Sequence, residues 1–429
     1  MVPTSSEDLT KFLMEKICES SNLNRAYKRV KANKGAAGTD GMTVDELFSW
    51  VANHKVSLIE SLLSGDYQPK LVRGVEIPKP GKDKEFRQLG IPCVVDRLVQ
   101  QAIHQVLEPI FDPTFSESSY GFRPGRSAHQ ALKQAQEYAR DGYEIVVDLD
   151  VEKFFDRVNH DILMSRLAKR INDKRLLKII RRFLEAGMMK QGVCIERVEG
   201  MPQGGPLSPL MSNLLLDELD KELEKRGHKS CRYADDCNVY VKSHRSGERV
   251  LQSIKQFLWK RLKLKVNESK SASAAVDERQ FLGYRLLKDG KLLIANHSVE
   301  RVKNKIRSIT RRNRGVSIKE VITELNITLR GWINYFQLTE WQSQIRTLDE
   351  WVRRKLRCYR LKQRKANRPI ANFLMSLGLD SRNAWSLAIS SKGWWCLSKT
   401  PQLHQAMSNA WFEKQGLINM VQIRAKVKV

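Results

Sequence analysis

Cys231-Arg232-Tyr233-Ala234-Asp235-Asp236-Cys237-Asn238-Val239-Tyr240-Val241 sets two adjacent carboxylates between two apolar, β-prone runs. The pattern predicts strand, tight turn, strand. Such a turn pushes both carboxylates to a hairpin tip, where their repulsion calls for a cation. A lone Asp-Asp turn is more often a cap or an exposed loop, so a second signal is needed. It lies upstream in Glu144-Ile145-Val146-Val147-Asp148-Leu149-Asp150, a short β-branched run that reads as a buried strand. By the period of two, Asp148 and Asp150 point the same way, and spacing does not choose between them. Either one beside Asp235 would give an oxygen-lined site for two Mg²⁺ ions about 4 Å apart, the arrangement used for in-line phosphoryl displacement. Ligands that are all hard oxygens favour magnesium.

Outward from these strands the chain alternates helical and strand-like segments. Helical spacing covers 7–31, 44–64, 94–110, 127–140, 159–187, 206–226 and 246–262. Val75-Glu76-Ile77-Pro78-Lys79-Pro80 and Phe86-Arg87-Gln88-Leu89-Gly90-Ile91-Pro92 read as a β-hairpin. Two further strands are expected at 263–266 and 281–286, and from about residue 300 the pattern is helical. The order predicts an α+β catalytic core with a helical appendage.

Composition narrows the function classes. The 429 residues carry 75 Lys+Arg against 48 Asp+Glu, a formal charge of +27, which points to a polyanionic partner. Seven cysteines, odd in number and without a CxxC pair, argue against a disulfide framework or a cysteine-based zinc site. There is no apolar run near the roughly 18–20 residues of a membrane span, so no membrane partner is expected. The charge is unequally divided. Residues 1–300 hold 49 basic and 41 acidic side chains, whereas 301–429 hold 26 and 7. In that last stretch the bases alternate with aromatics such as Trp351, Tyr359, Trp394 and Trp395, which suggests a folded nucleic-acid cradle rather than a solvated tail.

Ordered blocks along the chain carry a family resemblance. They are Gly38-Thr39-Asp40-Gly41, Glu76-Ile77-Pro78-Lys79-Pro80, Arg87-Gln88-Leu89-Gly90-Ile91-Pro92, Tyr120-Gly121-Phe122-Arg123-Pro124-Gly125-Arg126 and Asp150-Val151-Glu152-Lys153-Phe154-Phe155-Asp156. Pro202-Gln203-Gly204-Gly205-Pro206-Leu207-Ser208-Pro209, Tyr233-Ala234-Asp235-Asp236, Phe281-Leu282-Gly283-Tyr284 and Gly331-Trp332-Ile333-Asn334-Tyr335-Phe336 complete the set. In this order the chain resembles group II intron-encoded reverse transcriptases, or maturases, over nearly its whole length.

The resemblance implies a right-hand polymerase fold of fingers and palm, a helical thumb and a small C-terminal DNA-binding module. The expected bounds are 1–70 for the N-terminal extension and first fingers helices and 71–299 for the fingers and palm. The thumb would cover 300–368 and the DNA-binding module 369–429. It picks Asp150 over Asp148 and joins it with Asp235 and Asp236 as the catalytic, metal-holding triad for two Mg²⁺, with Mn²⁺ a possible substitute. Phe155 resembles the gate that rejects a ribose 2′-OH, although a core Phe beside Phe154 is an equal reading of the sequence. Lys79 and Arg87 resemble fingertip cations for the dNTP triphosphate. Gln203 and Gly204 are expected at the nucleotide, and Lys270 or Lys265 at the leaving pyrophosphate. Arg123 and Arg126 suit backbone phosphates, as do Arg353, Arg354, Lys355, Arg357 and Arg360 in the thumb.

The implied activity is RNA-directed DNA synthesis by an intron protein that also binds its intron RNA and assists splicing and retrohoming. The implied partners are group II intron RNA, an RNA template with a DNA primer, target DNA and dNTPs, in a bacterial cytoplasm near the nucleoid. The oligomeric state stays open. An alternative is a domesticated stand-alone reverse transcriptase in host DNA repair or phage defence. Two departures stand out: Met201 precedes the Pro-Gln-Gly-Gly block where Thr is usual, and nothing after residue 360 resembles an HNH endonuclease. The type expected is therefore the endonuclease-lacking one.

Overall fold

Residues 10–78 and 86–427 are described in a computed structural model of the chain. Two compact units emerge, Met1–Arg279 with Lys288–Gly290, and Gln280–Leu287 with Lys291–Val429.

In the first unit, alternating side chains produce the expected hairpin of β1 (Val72–Pro78) and β2 (Phe86–Ile91), running from Arg73 opposite Ile91 to Pro78 opposite Phe86. Downstream come β3 (Ile145–Leu149), β4 (Met188–Lys190), β5 (Val193–Ile195), β6 (Lys229–Tyr233), β7 (Asp236–Val241) and β8 (Ala272–Ala275). Among the described residues these strands make two four-stranded sheets, ordered β2-β1-β4-β5 and β6-β7-β3-β8. The β-branched β3 takes an interior place between β7 and β8, where both of its faces can be covered. The helix His244–Phe257 packs on β3 and β8, while Ala128–Arg140 and Ser208–Lys225 pack on β6. The core of this unit is aliphatic, with Val147, Leu149, Leu215 and Val239 almost wholly buried.

Local chemistry explains where sequence and structure part. The expected helix over 159–187 is two, His160–Ala168 and Lys174–Glu185. Asp173 restarts the second by accepting the backbone N–H groups of Arg175 and Leu176. The expected strand at 263–266 reduces to one bridge, Val151 with Val266. Residues 281–286 are interrupted where Leu282 and Gly283 take φ of +51° and +81°.

The second unit begins with a small antiparallel sheet of β9 (Gln280–Phe281), β10 (Tyr284–Leu286) and β11 (Leu292–Ile294). Helices Asn296–Ile309, Ile318–Tyr335 and Gln342–Gln363 follow, then shorter ones to the C-terminal end. Ser317 and Glu320 form a reciprocal capping box that fixes the start of the middle helix. Trp332, half-buried, lies 4.9 Å from the buried Phe336 ring, and the more exposed Tyr335 donates its hydroxyl to the Leu282 carbonyl, tying the motif to the small sheet. Among the described residues no helix is long and apolar enough to cross a membrane.

Candidate active site

The two carboxylate-bearing segments meet. β3 pairs antiparallel with β7, Asp148 opposite Asn238 and Leu149 opposite Cys237. Continued one residue past the end of β3, that register would set Asp150 opposite Asp236. Directly opposed residues share a sheet face, and the period of two adds Asp148 to it. Asp235 sits in the two-residue turn between Tyr233 and Asp236, whose other residue, Ala234, adopts φ +59°. That left-handed backbone is uncommon for a residue with a Cβ and has to be held by its surroundings.

Crowded charge marks the site. Burial among packed neighbours, then repulsion from Asp235, Asp148 and Asp150, push the Asp236 carboxyl up to about 6, although its side chain still opens to solvent. Asp148 is also raised, first by burial, while Arg279 opposes the shift. The cations present divide between the two β3 carboxylates. Lys270 Nζ lies 3.1 and 3.3 Å from the Asp150 oxygens, and Arg279 Nε lies 3.8 Å from Asp148. Lys265 is instead turned over the Trp259 ring at 5.5 Å, so of the two lysines considered it is Lys270 that reaches the cluster.

Among the described residues no three His, Cys, Asp or Glu side chains are gathered into a closed metal-ligand set. The donors nonetheless fit a hard divalent cation. They are all carboxylate oxygens, their repulsion is visible in the raised Asp236, and an ammonium already lies on Asp150.

Around the carboxylates, Phe155 is half-buried beside the fully packed Phe154, with ring centroids 5.2 Å apart. Its backbone carbonyl accepts the Met201 N–H at 2.7 Å, tying it to the segment just before Pro202-Gln203-Gly204-Gly205. The Gln203 carbonyl in turn accepts the Gly90 N–H of β2 at 2.9 Å. Gly204 has φ +131°, and a Cβ there would come within 2.7 Å of the Gly90 carbonyl oxygen. Only glycine allows this loop to lie so close to β2. Arg87 is exposed on β2 opposite Ile77. Lys79 lies outside the described residues.

A cavity of about 850 Å³ adjoins the site, with Arg97, Gln101, His104, Arg126, Gly204 and Tyr233 among its walls. Arg126 pairs with Glu117 and lies over the Tyr120 ring. Arg123 behaves differently. It is buried, and four of its five N–H donors go to Asp112 Oδ1 and to the carbonyls of Asp112, Ser116 and Ser119. Most of that guanidinium is engaged in folding its own loop, although Arg123 also lines the cavity.

In the second unit the helix Gln342–Gln363 presents its bases unequally. Arg354 lies 3.6 Å over the exposed Trp395 ring and donates to the Trp395 carbonyl. Lys355 stands between the rings of Trp351 and Trp395, at 5.3 and 5.2 Å. Arg353 approaches Asp349 at 4.0 Å, and Arg360 lies over Phe373. Arg357 is buried, donating to the Met407 carbonyl through Nε and Nη2. Its guanidinium is therefore engaged inside the unit rather than open to solvent. One helical turn separates side chains that pack inward from those that stay open.

Sequence reasoning passed over Arg232, whose guanidinium lies buried under the Ala234 turn. The available signal was a lone Arg in a strand of otherwise inward-packing residues, with Asp217 and Asp220 set into a leucine-rich helix.

Comparison with known proteins gives the family of the chain. Residues 77–286 match the family model "Reverse transcriptase (RNA-dependent DNA polymerase)", and residues 299–375 match "Group II intron, maturase-specific domain". Protein YkfC of Escherichia coli (strain K12) is 33% identical over 317 residues, covering 64% of this chain and 83% of YkfC. The group II intron-encoded protein LtrA of Lactococcus lactis subsp. cremoris is 38% identical over 197 residues, covering 46% of this chain and 32% of LtrA. The match thus spans about a third of LtrA's length. A chain of the solved "Partial Cas6-RT-Cas1--Cas2 complex" is similar at 29% identity and TM-score 0.38, over 57% of this chain and 42% of that one.

Proposed function

The chain belongs to the group II intron reverse transcriptase and maturase family, and from that premise we propose that it copies RNA into DNA and serves its intron RNA as a maturase. The observation that carries the first half is the convergence of Asp150, Asp235 and Asp236 at the ends of β3 and the β6–β7 hairpin, with Asp148 on the same face. In this reading Asp150, Asp235 and Asp236 hold two Mg²⁺ ions, with Mn²⁺ able to replace them. When bound, these ions would stabilise the charge that develops on the transferring phosphoryl group.

The protein's own residues do the rest. Arg87, and Lys79 by the family resemblance, carry positive charge to the triphosphate. Lys270, held at Asp150, is placed to give a proton to the departing pyrophosphate. Gln203 and Gly204 line the nucleotide's path where the loop meets β2, and Phe155 sets the limit on the sugar's 2′ position. Arg126 on the cavity wall contacts the nucleic-acid backbone. In the second unit Arg354 and Lys355, stacked on tryptophans, supply the surface for structured RNA, with Arg353 and Arg360 beside them. Residues 369–429 then serve target DNA.

The test is the double substitution Asp235→Ala with Asp236→Ala, assayed by primer extension on RNA and by binding and splicing of a cognate intron RNA. Extension should fall by at least about a thousandfold, as expected when the electrostatic core of phosphoryl transfer is removed, while RNA binding and splicing assistance persist. Surviving extension would refute the metal assignment. Equal affinity for cognate intron and unrelated structured RNA would refute the maturase half.

A further inference from the structure

A guanidinium has five N–H donors and no acceptor, so a fully buried one must find five acceptors or leave donors unpaired. Arg232 finds them all. Nε donates to both Asp220 oxygens at 2.9 Å. Nη2 donates to Asp220 Oδ2 at 2.6 Å and Ser119 Oγ at 2.7 Å, and Nη1 to Asn213 Oδ1 at 2.9 Å and the Ala234 carbonyl at 2.8 Å. The last of these is a hydrogen bond to the carboxylate-bearing turn itself. It falls on the residue whose φ of +59° the turn depends on.

The network reaches the same turn by a second route. Asn213 Nδ2 donates to the Gly121 carbonyl at 2.8 Å, and Gly121 lies flat against the turn. A Cβ on it would come 2.2 Å from the Ala234 nitrogen. Backbone bonds lock the layer, Arg232 N–H to the Ser118 carbonyl and Tyr120 N–H to the Arg232 carbonyl, both at 2.8 Å. Three segments of the fold, Ser118–Gly121, the helix bearing Asn213 and Asp220, and β6, therefore meet on one guanidinium. A residue needed only to fill volume there could have been apolar, and replacing a buried ion pair by apolar groups is often neutral or stabilising.

We infer that Arg232, braced by Asp220 and Asn213, is a positioning residue for the reaction: it fixes the Ala234 carbonyl and thereby the heading of Asp235 and Asp236. It touches neither substrate nor metal. The inference rests on the proposed role of those two carboxylates and adds what aims them.

The experiment uses the full chain with Arg232→Lys and, separately, Asn213→Ala. Lysine keeps a charge opposite Asp220 but cannot fork to Ala234 and Asn213 together. Primer extension on RNA should lose about 10- to 100-fold in kcat, the scale of a misplacement near 1 Å, with KM for dNTP and RNA affinity little changed. The Mg²⁺ concentration for half-maximal extension should rise several-fold. Mn²⁺ affinity of the nucleic-acid-free protein, read by electron paramagnetic resonance, should weaken in parallel. Asn213→Ala should show the same pattern with a smaller loss, and it decides the matter if the lysine variant does not fold. Lower melting temperatures with wild-type kcat and wild-type Mn²⁺ affinity would overturn the inference and leave Arg232 a packing residue. If the wild-type protein itself made no cDNA, the polymerase reading would fail, and the Mn²⁺ comparison would still judge the positioning role.

Discussion

Arg232 in the first unit and Arg357 in the second are both buried guanidiniums, and they are compensated in opposite ways. Burial alone would lower the pKa of Arg232, but the charge and hydrogen bonds of Asp220 reverse the shift and hold it raised. Arg357 has only carbonyl oxygen and the His404 ring to donate to. Burial first, and then repulsion from Arg353 and Arg354, bring it down to about 10. The first unit thus encloses an ion pair and leaves at its strand ends a carboxylate cluster that Lys270 and Arg279 only partly offset. The second encloses a cation without a counter-ion and surrounds it with more. Taken separately, an acidic cluster favours a divalent cation and a basic helix favours phosphate.

The largest effect that would sharpen this contrast lies in the first unit. Asp148 and Asp150 share a sheet face, and of the two Asp148 acts more strongly on Asp236. Asp150, however, lies just past the end of the strand and is held by the exposed ammonium of Lys270, whereas Asp148 is held by Arg279. Asp150→Ala is expected to cost at least about a thousandfold in primer extension, the scale of losing transition-state charge stabilisation. Asp148→Ala should cost about tenfold or less, acting only through the local field. A reversal of that order would move the metal site one pleat back along β3.

How much of this was legible beforehand depends on the range of the interaction that decides each feature. The β6–β7 hairpin, β3 and the helix at 206–226 follow from local periodicity, and the sequence pattern places them within a few residues. β8, Ala272-Ser273-Ala274-Ala275, was missed because small residues carry little strand preference. Only pairing with β3 makes it a strand. β4 and β5 were missed for a similar reason, being three residues each and stabilised as additions to the β1–β2 sheet. In the site, motif spacing brings out the carboxylates but does not tell which arginines are spent on buried acceptors. Arg123 and Arg357 look the same in sequence as Arg126 and Arg354, and only tertiary acceptors separate them.

That separation yields the next prediction. Arg354→Ala should weaken intron RNA binding by about three- to tenfold and reduce the salt slope of log affinity by about one, because it removes one half-buried, stacked cation. Arg357→Ala should instead destabilise the second unit by about 1–3 kcal/mol through lost buried hydrogen bonds and packing on Phe412. Its RNA affinity, measured below the new melting temperature, should hold. Equal binding losses for the two variants would erase the distinction between inward and outward arginines.

The smallest effect concerns a buried carboxylate in the basic unit. Asp349 accepts the Met420 N–H at 3.1 Å and lies 4.0 Å from Arg353. Burial still dominates and raises its carboxyl to about 6. A folded-state pKa above the unfolded value near 3.9 means that the folded chain takes up the proton more readily. This group therefore adds stability as pH falls through about 6, with the gain complete below about 4 and no larger than about 2–3 kcal/mol. Asn at this position can still accept the Met420 N–H but has no charge to bury. Asp349→Asn should accordingly melt higher than wild type at pH 7, with the gap about halved at pH 5 and closed below about pH 4. A gap that stayed constant from pH 7 to pH 4 would show that Arg353 and the Met420 N–H fully offset the burial of the Asp349 carboxylate.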